Sequence, residues 1–362
     1  MLTYSILDVL ICLVVGLAWL EDILLVFMFR PFVREPSGGP LPRISILLAM
    51  RDEENNVDRC LHAIRRMDYP ASLMEILVGD DNSTDGTREK ILAHAREDDR
   101  IRYYQVKKEV GIARGKANVL AQLIPHARSD LFLITDADVA VVPSWARNMT
   151  ENIPEGVGLV NGITAVGGNV FQHMEWVQAQ GMMHVLQQFV PVTAIGNNMM
   201  VTRKAYESTG GFEHIPLSVT EDFALTREVI GKGFRLQSRL SAGVLGTTHA
   251  LKSFSDLVSQ RKRWMQGAMR LPAGILFLLI VRALYYPALL GMLFLFPAAA
   301  VFIAILKMIL QCVFVNRVNK ETQQRIPWHA CLLFDLYQFA MIWIELLAYL
   351  MPGKVRWKGR SF

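Results

Sequence analysis

The apolar residues of this chain are gathered at its two ends. Tyr4 to Phe29 is almost wholly apolar, long enough to cross a bilayer, which takes about 20 residues. It lacks the basic start of a secretory signal, exceeds one in length, and is followed by Arg30 and Arg34. It therefore reads as a retained membrane helix. A second apolar region runs from about Leu271 to Val315 and a third from about Trp328 to Leu350. The basic linker Asn316–Gln324 separates them. Arg282 interrupts the second region, and a charge at mid-bilayer costs about 2.5–3.5 kcal/mol on the insertion scale. We therefore read an interfacial helix over Leu271–Val281 and one span over Leu284–Leu310, giving three spans in all. Glu21, Asp22, Asp335 and Glu345 lie in apolar segments and need shielding from lipid, with Arg282 and Lys307 as the available counter-ions.

Positive charge marks the cytoplasmic side. Arg30 and Arg34 place the central residues there, and Lys354, Arg356, Lys358 and Arg360 place the C-terminal tail there too. An even number of spans then follows the central domain, and the N-terminus lies outside. On this layout the basic linker falls outside, against the rule. The expected division is a first helix over residues 1–30, a cytoplasmic domain over 31–270, and an interfacial helix, two spans and a basic tail over 271–362.

Composition agrees with a membrane protein. It is 52% hydrophobic with a mean hydropathy of +0.27, too apolar for an ordinary soluble enzyme. The net charge of +5 is modest and scattered, which argues against a nucleic-acid partner and suits an anionic membrane surface. Cys12, Cys60, Cys312 and Cys331 form no C-x-x-C pair, so neither a disulfide framework nor a zinc site is indicated.

The central domain alternates strand and helix. Ile44–Ala49 is an apolar strand and Asn55–Met67 has helical spacing. Glu75–Gly79 is a second strand, and Thr84 is read as the cap of a helix reaching about Arg96. Ile101–Gln105 is a third strand, Lys116–His126 a helix, and Asp130–Thr135 a fourth strand. Such alternation predicts a mainly parallel α/β sheet with right-handed crossovers. Asp136-Ala137-Asp138 follows that fourth strand, at the carboxyl edge where open α/β sheets bind ligands. Paired carboxylates there can hold a hard divalent cation, and through it a diphosphate. Asp-x-Asp also occurs in ordinary solvated loops.

Further motifs appear in order: Ala49-Met50-Arg51-Asp52-Glu53-Glu54-Asn55, Asp80-Asp81-Asn82-Ser83-Thr84-Asp85, Gly115-Lys116-Ala117-Asn118, Thr220-Glu221-Asp222 and Gln260-Arg261-Lys262-Arg263-Trp264. Together with Asp136-Ala137-Asp138 they resemble the membrane-integrated, inverting branch of glycosyltransferase family 2. That branch includes ceramide glucosyltransferase-like enzymes, hopanoid- and carotenoid-glycosylating enzymes, and processive polysaccharide synthases. The resemblance covers roughly residues 43–270 and the membrane layout. It implies a GT-A, Rossmann-like catalytic domain on the cytoplasmic face of a bacterial inner membrane, moving a hexose from a UDP-sugar to a lipid or lipid-linked hydroxyl with inversion. A small processive polysaccharide synthase is the alternative.

The resemblance assigns roles residue by residue. Asp81 would accept the uracil N–H, with Ala49, Arg51 and Glu53 beside the uridine; Arg51 and Glu53 could equally form a surface pair. Lys116 would meet phosphate charge at a helix N-terminus, or be a solvated lysine. Asp138 would ligate Mg²⁺ or Mn²⁺, with Asp136 contacting ribose or the metal, and His249 is a further candidate ligand. Asp222 would be the base that takes the acceptor hydroxyl's proton; its other reading, with Glu221, is a first-turn acid behind an N-capping Thr220. Gly196-Asn197-Asn198-Met199-Met200 resembles an acceptor-side loop and can also be a buried turn and strand. Gln260, Arg263 and Trp264 share a helix face. Arg263 can bind the diphosphate bidentately and Trp264 can stack on sugar or acceptor, while Arg261, Lys262 and Arg270 are read as lipid-facing. Met174, Trp176, Met182, Met183, Val185 and Leu186 offer either an adaptable acceptor surface or helix core. The ending Trp357-Lys358-Gly359-Arg360 resembles that of carotenoid and hopanoid glycosyltransferases.

Overall fold

The computed structural model describes residues 5–33, 39–218, 220–351, 356–357 and 360–361. Arg34, most of the linker Pro36–Pro40 and the tail charges Lys354 and Lys358 lie outside the described residues.

The strands β1 (Ile44–Met50), β2 (Met74–Asp80), β3 (Ile101–Gln105) and β4 (Leu131–Asp136) form close to where the apolar runs place them. Two short strands follow: β5 (Ala140–Val141) and, after a helix, β6 (Val157–Asn161). Then come β7 (Ile163–Gly167), β8 (Asn198–Thr202), β9 (Arg235–Ser238) and β10 (Leu245–His249), with a C-terminal pair, β11 (Arg356–Trp357) and β12 (Arg360–Ser361). The main sheet has the order β3-β2-β1-β4-β8-β6-β9. Pairing is parallel through β3, β2, β1 and β4 and between β6 and β9, and antiparallel on both sides of β8. β5, β10 and β7 make a smaller sheet. Ile46 and Leu48 join one core and Leu47 the other, so β1 is buried on both faces. This is why its sequence, apart from the hydrogen-bonded Ser45, is apolar rather than alternating.

The N-terminal helix is α1 (Ile6–Met28), and the domain helices are α2 (Val57–Arg65), α3 (Thr87–Glu97), α4 (Gly115–Leu123), α5 (Trp145–Thr150), α6 (Val170–Leu186), α7 (Arg203–Ser208), α8 (Glu221–Gly231) and α9 (Phe254–Ala268). Thr84 does not cap α3. Its amide and hydroxyl bond Asp52 Oδ1 (2.8 and 3.2 Å), and the helix starts three residues later behind Gly86. The loops after β1 and β2 are tied to each other, and that tie takes the hydroxyl.

Three further helices complete the chain: α10 (Ala273–Leu295), α11 (Pro297–Asn319) and α12 (Trp328–Leu350). The expected break at Arg282 is absent. The helix runs straight through it, because the guanidinium bonds Glu21 and Asp22 of α1, each at 2.7 Å. The break falls instead at Phe296-Pro297, where proline opens α11. Four helices, α1, α10, α11 and α12, are thus long and apolar enough to cross a membrane, rather than three. The expected shielding of the charges is found. Glu21, Asp22 and Lys307 are buried, Lys307 reaches Asp335 at 3.0 Å, and Glu345 is paired with Arg261 at 3.3 Å. Gly181 of α6 packs on Phe314 and Val318 of α11, which joins the domain to the apolar bundle.

Candidate active site

The register sets the site. Ala49 lies opposite Gly79 on one side and Asp136 on the other, so β1, β2 and β4 end level. Their carboxyl ends present Asp80-Asp81, Arg51 and the Asp136-Ala137-Asp138 turn along one edge. Asp81 is buried, and its backbone N–H donates to the Met50 carbonyl (2.8 Å). Arg51 bonds the Asp81 carbonyl at 2.9 Å and stands 3.8 Å from its carboxylate. Asp81 and Asp52 are thus acidic neighbours of Arg51. Glu53 turns inward, accepts from Asn56 (2.7 Å), and donates its amide to Thr87 Oγ1 (2.7 Å).

Lys116 is neither solvated nor at the surface. Its ammonium donates to Asp136 Oδ1 (2.5 Å) and to the Gly196 carbonyl (2.8 Å), and stands 3.2 Å from Glu221 Oε1. Burial opposes its charge, but Asp136 and then Glu221 outweigh that, and its pKa is raised. Lys116 thereby links the paired carboxylates to the start of α8, a role its place at a helix N-terminus did not reveal. Asp138 Oδ2 accepts from Thr248 Oγ1 (3.0 Å), and Arg59 of α2 bonds both the Asp138 carbonyl and that of Thr247. Arg59 clamps the turn; nothing in the sequence near it signals this. His249 is exposed, and its β10 neighbour Thr248 meets Asp138. Among the described residues no three His, Cys, Asp or Glu side chains gather as a metal site.

Asp222 stands in the first turn of α8. Its Oδ2 accepts from the Gly196 amide and its Oδ1 from that of Phe223, both at 2.8 Å. Its pKa is pushed up to about 6, first by loss of hydration and then by Glu221, with Lys116 pulling the other way. Thr220 occupies the N-cap position, but its hydroxyl bonds Ser218 (3.1 Å) and none of the helix amides. The capping account of this segment is thus weaker than the sequence allowed. Gly196 is shared: its amide meets Asp222 and its carbonyl meets Lys116. The residues after it form β8, in the middle of the main sheet, so the expected loop is a turn and a strand whose turn touches the site.

Gln260, Arg263, Trp264 and Gly267 form one stripe of α9 at i, i+3, i+4 and i+7. A β-carbon on Gly267 would come within 3.0 Å of Thr220 Oγ1, so this stripe packs beside the start of α8. Arg263 is half-buried. The Trp264 ring meets Trp176 edge-on at 5.1 Å, with the Arg261 guanidinium 4.2 Å from its centroid. Arg261 is not lipid-facing: it is 2% exposed, bonded to Glu175 (2.6 Å) and to Gln260 (3.0 Å). Met174 and Val185 are core residues of α6, while Trp176, Met182, Met183 and Leu186 are partly exposed.

A mostly parallel sheet with carboxylates along its carboxyl edge, joined to apolar helices, is the architecture of the GT-A class. A model of Glycosyl transferase family 21 matches residues 9–362, and the chain belongs to that family. The likeness to family 2 holds at the level of this class. The beta-monoglucosyldiacylglycerol synthase of Nostoc sp. is 26% identical over 239 residues, 63% of this chain and 49% of that protein. The poly-beta-1,6-N-acetyl-D-glucosamine synthase of Staphylococcus aureus is 26% identical over 236 residues, 63% of this chain and 55% of that protein. The chain spans about half the length of these curated relatives. A mannosyltransferase from Pyrobaculum calidifontis, solved with GDP-mannose and Mn²⁺, shares the fold: TM-score 0.59, 17% identity, 95% of this chain and 97% of that one.

Proposed function

We propose that this glycosyltransferase moves a hexose from a UDP-sugar to the hydroxyl of a membrane lipid, with inversion, at the cytoplasmic face. The observation that carries the reading is Asp222. It is fixed by two backbone amides, poised to ionise near pH 6, and coupled through Lys116 to the carboxylate pair at the sheet edge. A base near neutrality balances proton affinity against the fraction ionised. The acceptor hydroxyl would give its proton to Asp222 while its oxygen attacks the anomeric carbon from the face opposite the departing diphosphate. Asp81, with Arg51 beside it, would hold the uracil; Ala49 and Glu53 line the first strand's end next to it. Gln260 and Trp264 would flank the sugar and Arg263 the diphosphate.

Asp136 and Asp138 fit a hard cation of the Mg²⁺ or Mn²⁺ kind. Two carboxylates on one turn suit an ion that completes its shell with diphosphate oxygens and water. Bound there, it would neutralise charge on the leaving group. A diacylglycerol-type acceptor follows the name of the Nostoc relative, and the ceramide glucosyltransferase-like branch would take the same kind of alcohol.

The contacts of α12 support a membrane layout. Its two ends lie along domain helices, while its middle meets the spans, through Asp335 on Tyr286 and Lys307 (each 3.0 Å) and Gln338 on Gln311. Phe334 joins the domain core, Tyr337 bonds Glu175 (3.0 Å), Gln338 bonds Gln178, Glu345 pairs with Arg261, and the Met351 carbonyl accepts from Lys262 (2.8 Å). Its exposed residues Leu332, Leu336, Leu347 and Leu350 share the opposite face. Such a helix lies in the interface plane, leaving α1, α10 and α11 as the three spans. The linker after α11 then sits beside the domain, through Asn319 on His173 (2.7 Å) and Glu321 on the Ala242 amide (3.0 Å). The basic linker and the tail both fall on the cytoplasmic side, in keeping with the charge rule.

The test is UDP release from UDP-glucose by the purified chain in nanodiscs with and without diacylglycerol, with lipid products read by mass spectrometry. Diacylglycerol-dependent turnover and a monoglycosylated lipid are expected. An elongating polymer, or turnover indifferent to lipid, would overturn the proposal.

A further inference from the structure

A groove of about 650 Å³ separates α11 from the start of α12, a size typical of small-molecule sites. Ile309, Cys312 and Val313 form one wall, and Cys331 and Leu332 the other. Ile309, Val313 and Leu332 are 50%, 42% and 46% exposed, so the walls are apolar and open. The groove runs along α11 from Ile309 to Lys320. Eleven residues at 1.5 Å make about 16 Å, close to half the ~30 Å hydrocarbon core of a bilayer. Its polar end is the domain end. There Asn316, Arg317 and Lys320 line it, with exposed Trp328 at the rim. Lys320 and nearby Arg325 are exposed and pair with no described acid. Arg317 is turned away, bonding the carbonyls of Val26 and Phe29 at the end of α1. The groove is also remote from the reacting groups. Along α12, seventeen residues or about 26 Å separate Trp328 from Glu345, which packs on α9.

We propose that this groove is a binding site for one anionic phospholipid, distinct from the acceptor site. One acyl chain lies along α11, against the start of α12, to a leaflet's depth. Its phosphate sits at Lys320, with Arg325 and the Asn316 amide alongside and the Trp328 ring at the headgroup level. Charge selects the occupant. The mouth carries cations and no described carboxylate, and the cytoplasmic leaflet is the anionic one. The proposal rests on the orientation given above, which puts this end of α11 at the cytoplasmic surface.

The experiment is native mass spectrometry of the full chain released from nanodiscs of phosphatidylglycerol and phosphatidylcholine in equal parts. The wild type should retain one phosphatidylglycerol in preference. Lys320→Gln with Arg325→Gln should lower that preference at least about fivefold. Val313→Trp, which fills the groove and leaves the charges, should lower retention of both lipids. Equal retention of the two lipids by the wild type, or a preference unmoved by both variants, overturns the proposal. The readout is bound lipid rather than turnover, so it stands or falls separately from the glycosyl-transfer reading. Cysteine accessibility at residue 324 checks the orientation independently.

Discussion

Replacing Asp222 by asparagine separates a catalytic base from a helix-end acid. The side chain keeps its volume but cannot accept the acceptor's proton. General-base catalysis contributes 10²–10⁴-fold, or about 3–5 kcal/mol, so transfer should fall at least about a hundredfold. Nucleotide-sugar affinity should hardly change, since Asp222 stands on α8 and not on the β1, β2 or β4 edge. Stability gives a second, opposite readout. The pKa rises from 3.8 to about 6 on folding, so the folded state favours the protonated acid. That preference is fully present below the unfolded pKa and is lost as pH rises through 6. Above that, ionising Asp222 in place costs at most ~3 kcal/mol. Asparagine removes this cost but leaves one of the two backbone amides without an acceptor, a loss of ~1–3 kcal/mol. The melting temperature at pH 7.5 should therefore stay near wild type. In the wild type, kcat/KM should fall about tenfold per pH unit below pH 6 as the base protonates. Glu221→Gln removes a like charge that raises this pKa, so that midpoint should move to lower pH with turnover largely kept. Near-full turnover in well-folded Asp222→Asn would refute the assignment and turn attention to Glu221.

Asp138→Ala, or EDTA on the wild type, should weaken UDP binding measured by calorimetry with Mn²⁺; unchanged affinity in both would sink the metal assignment. Arg282→Met leaves Glu21 and Asp22 without their 2.7 Å partner and should cost about 3–5 kcal/mol in thermal unfolding in detergent; a loss below about 1 kcal/mol would mean that the carboxylates find water or Lys307 instead. Single cysteines at residues 100, 324 and 362 should react only from the cytoplasmic side, and those at 2 and 296 only from outside. Labelling of 324 from outside would remove α11 from the spans as drawn.

Much of this was legible because it is local. Continuous apolar runs bounded by charge gave β1, β2 and β4 nearly to the residue, since a strand buried on both faces has no polar position to spare. Strand ends in a parallel sheet converge, so Asp81 and Asp136-Ala137-Asp138 could be brought to one edge from order alone. The apolar ends announced a membrane protein for the same reason. What depended on partners far along the chain was not legible. Arg282 reads as a helix breaker until two carboxylates 260 and 261 residues away are set beside it. Arg261 reads as lipid-facing until Glu175 and Glu345 close over it. Lys116 reads as a phosphate-binding or solvated lysine until the chain returns at Gly196 and Glu221. Hydropathy marks α12 as a span, yet its polar face is taken by α6 and α9 and by Tyr286, Lys307 and Gln311 of the spans. A charge is costly or favourable according to its neighbours, and sequence lists only those adjacent along the chain. Elements and candidate groups were therefore fixed by local chemistry. Only the tertiary structure decided which charges neutralise each other, and so how the carboxylates, Lys116 and Asp222 form one site.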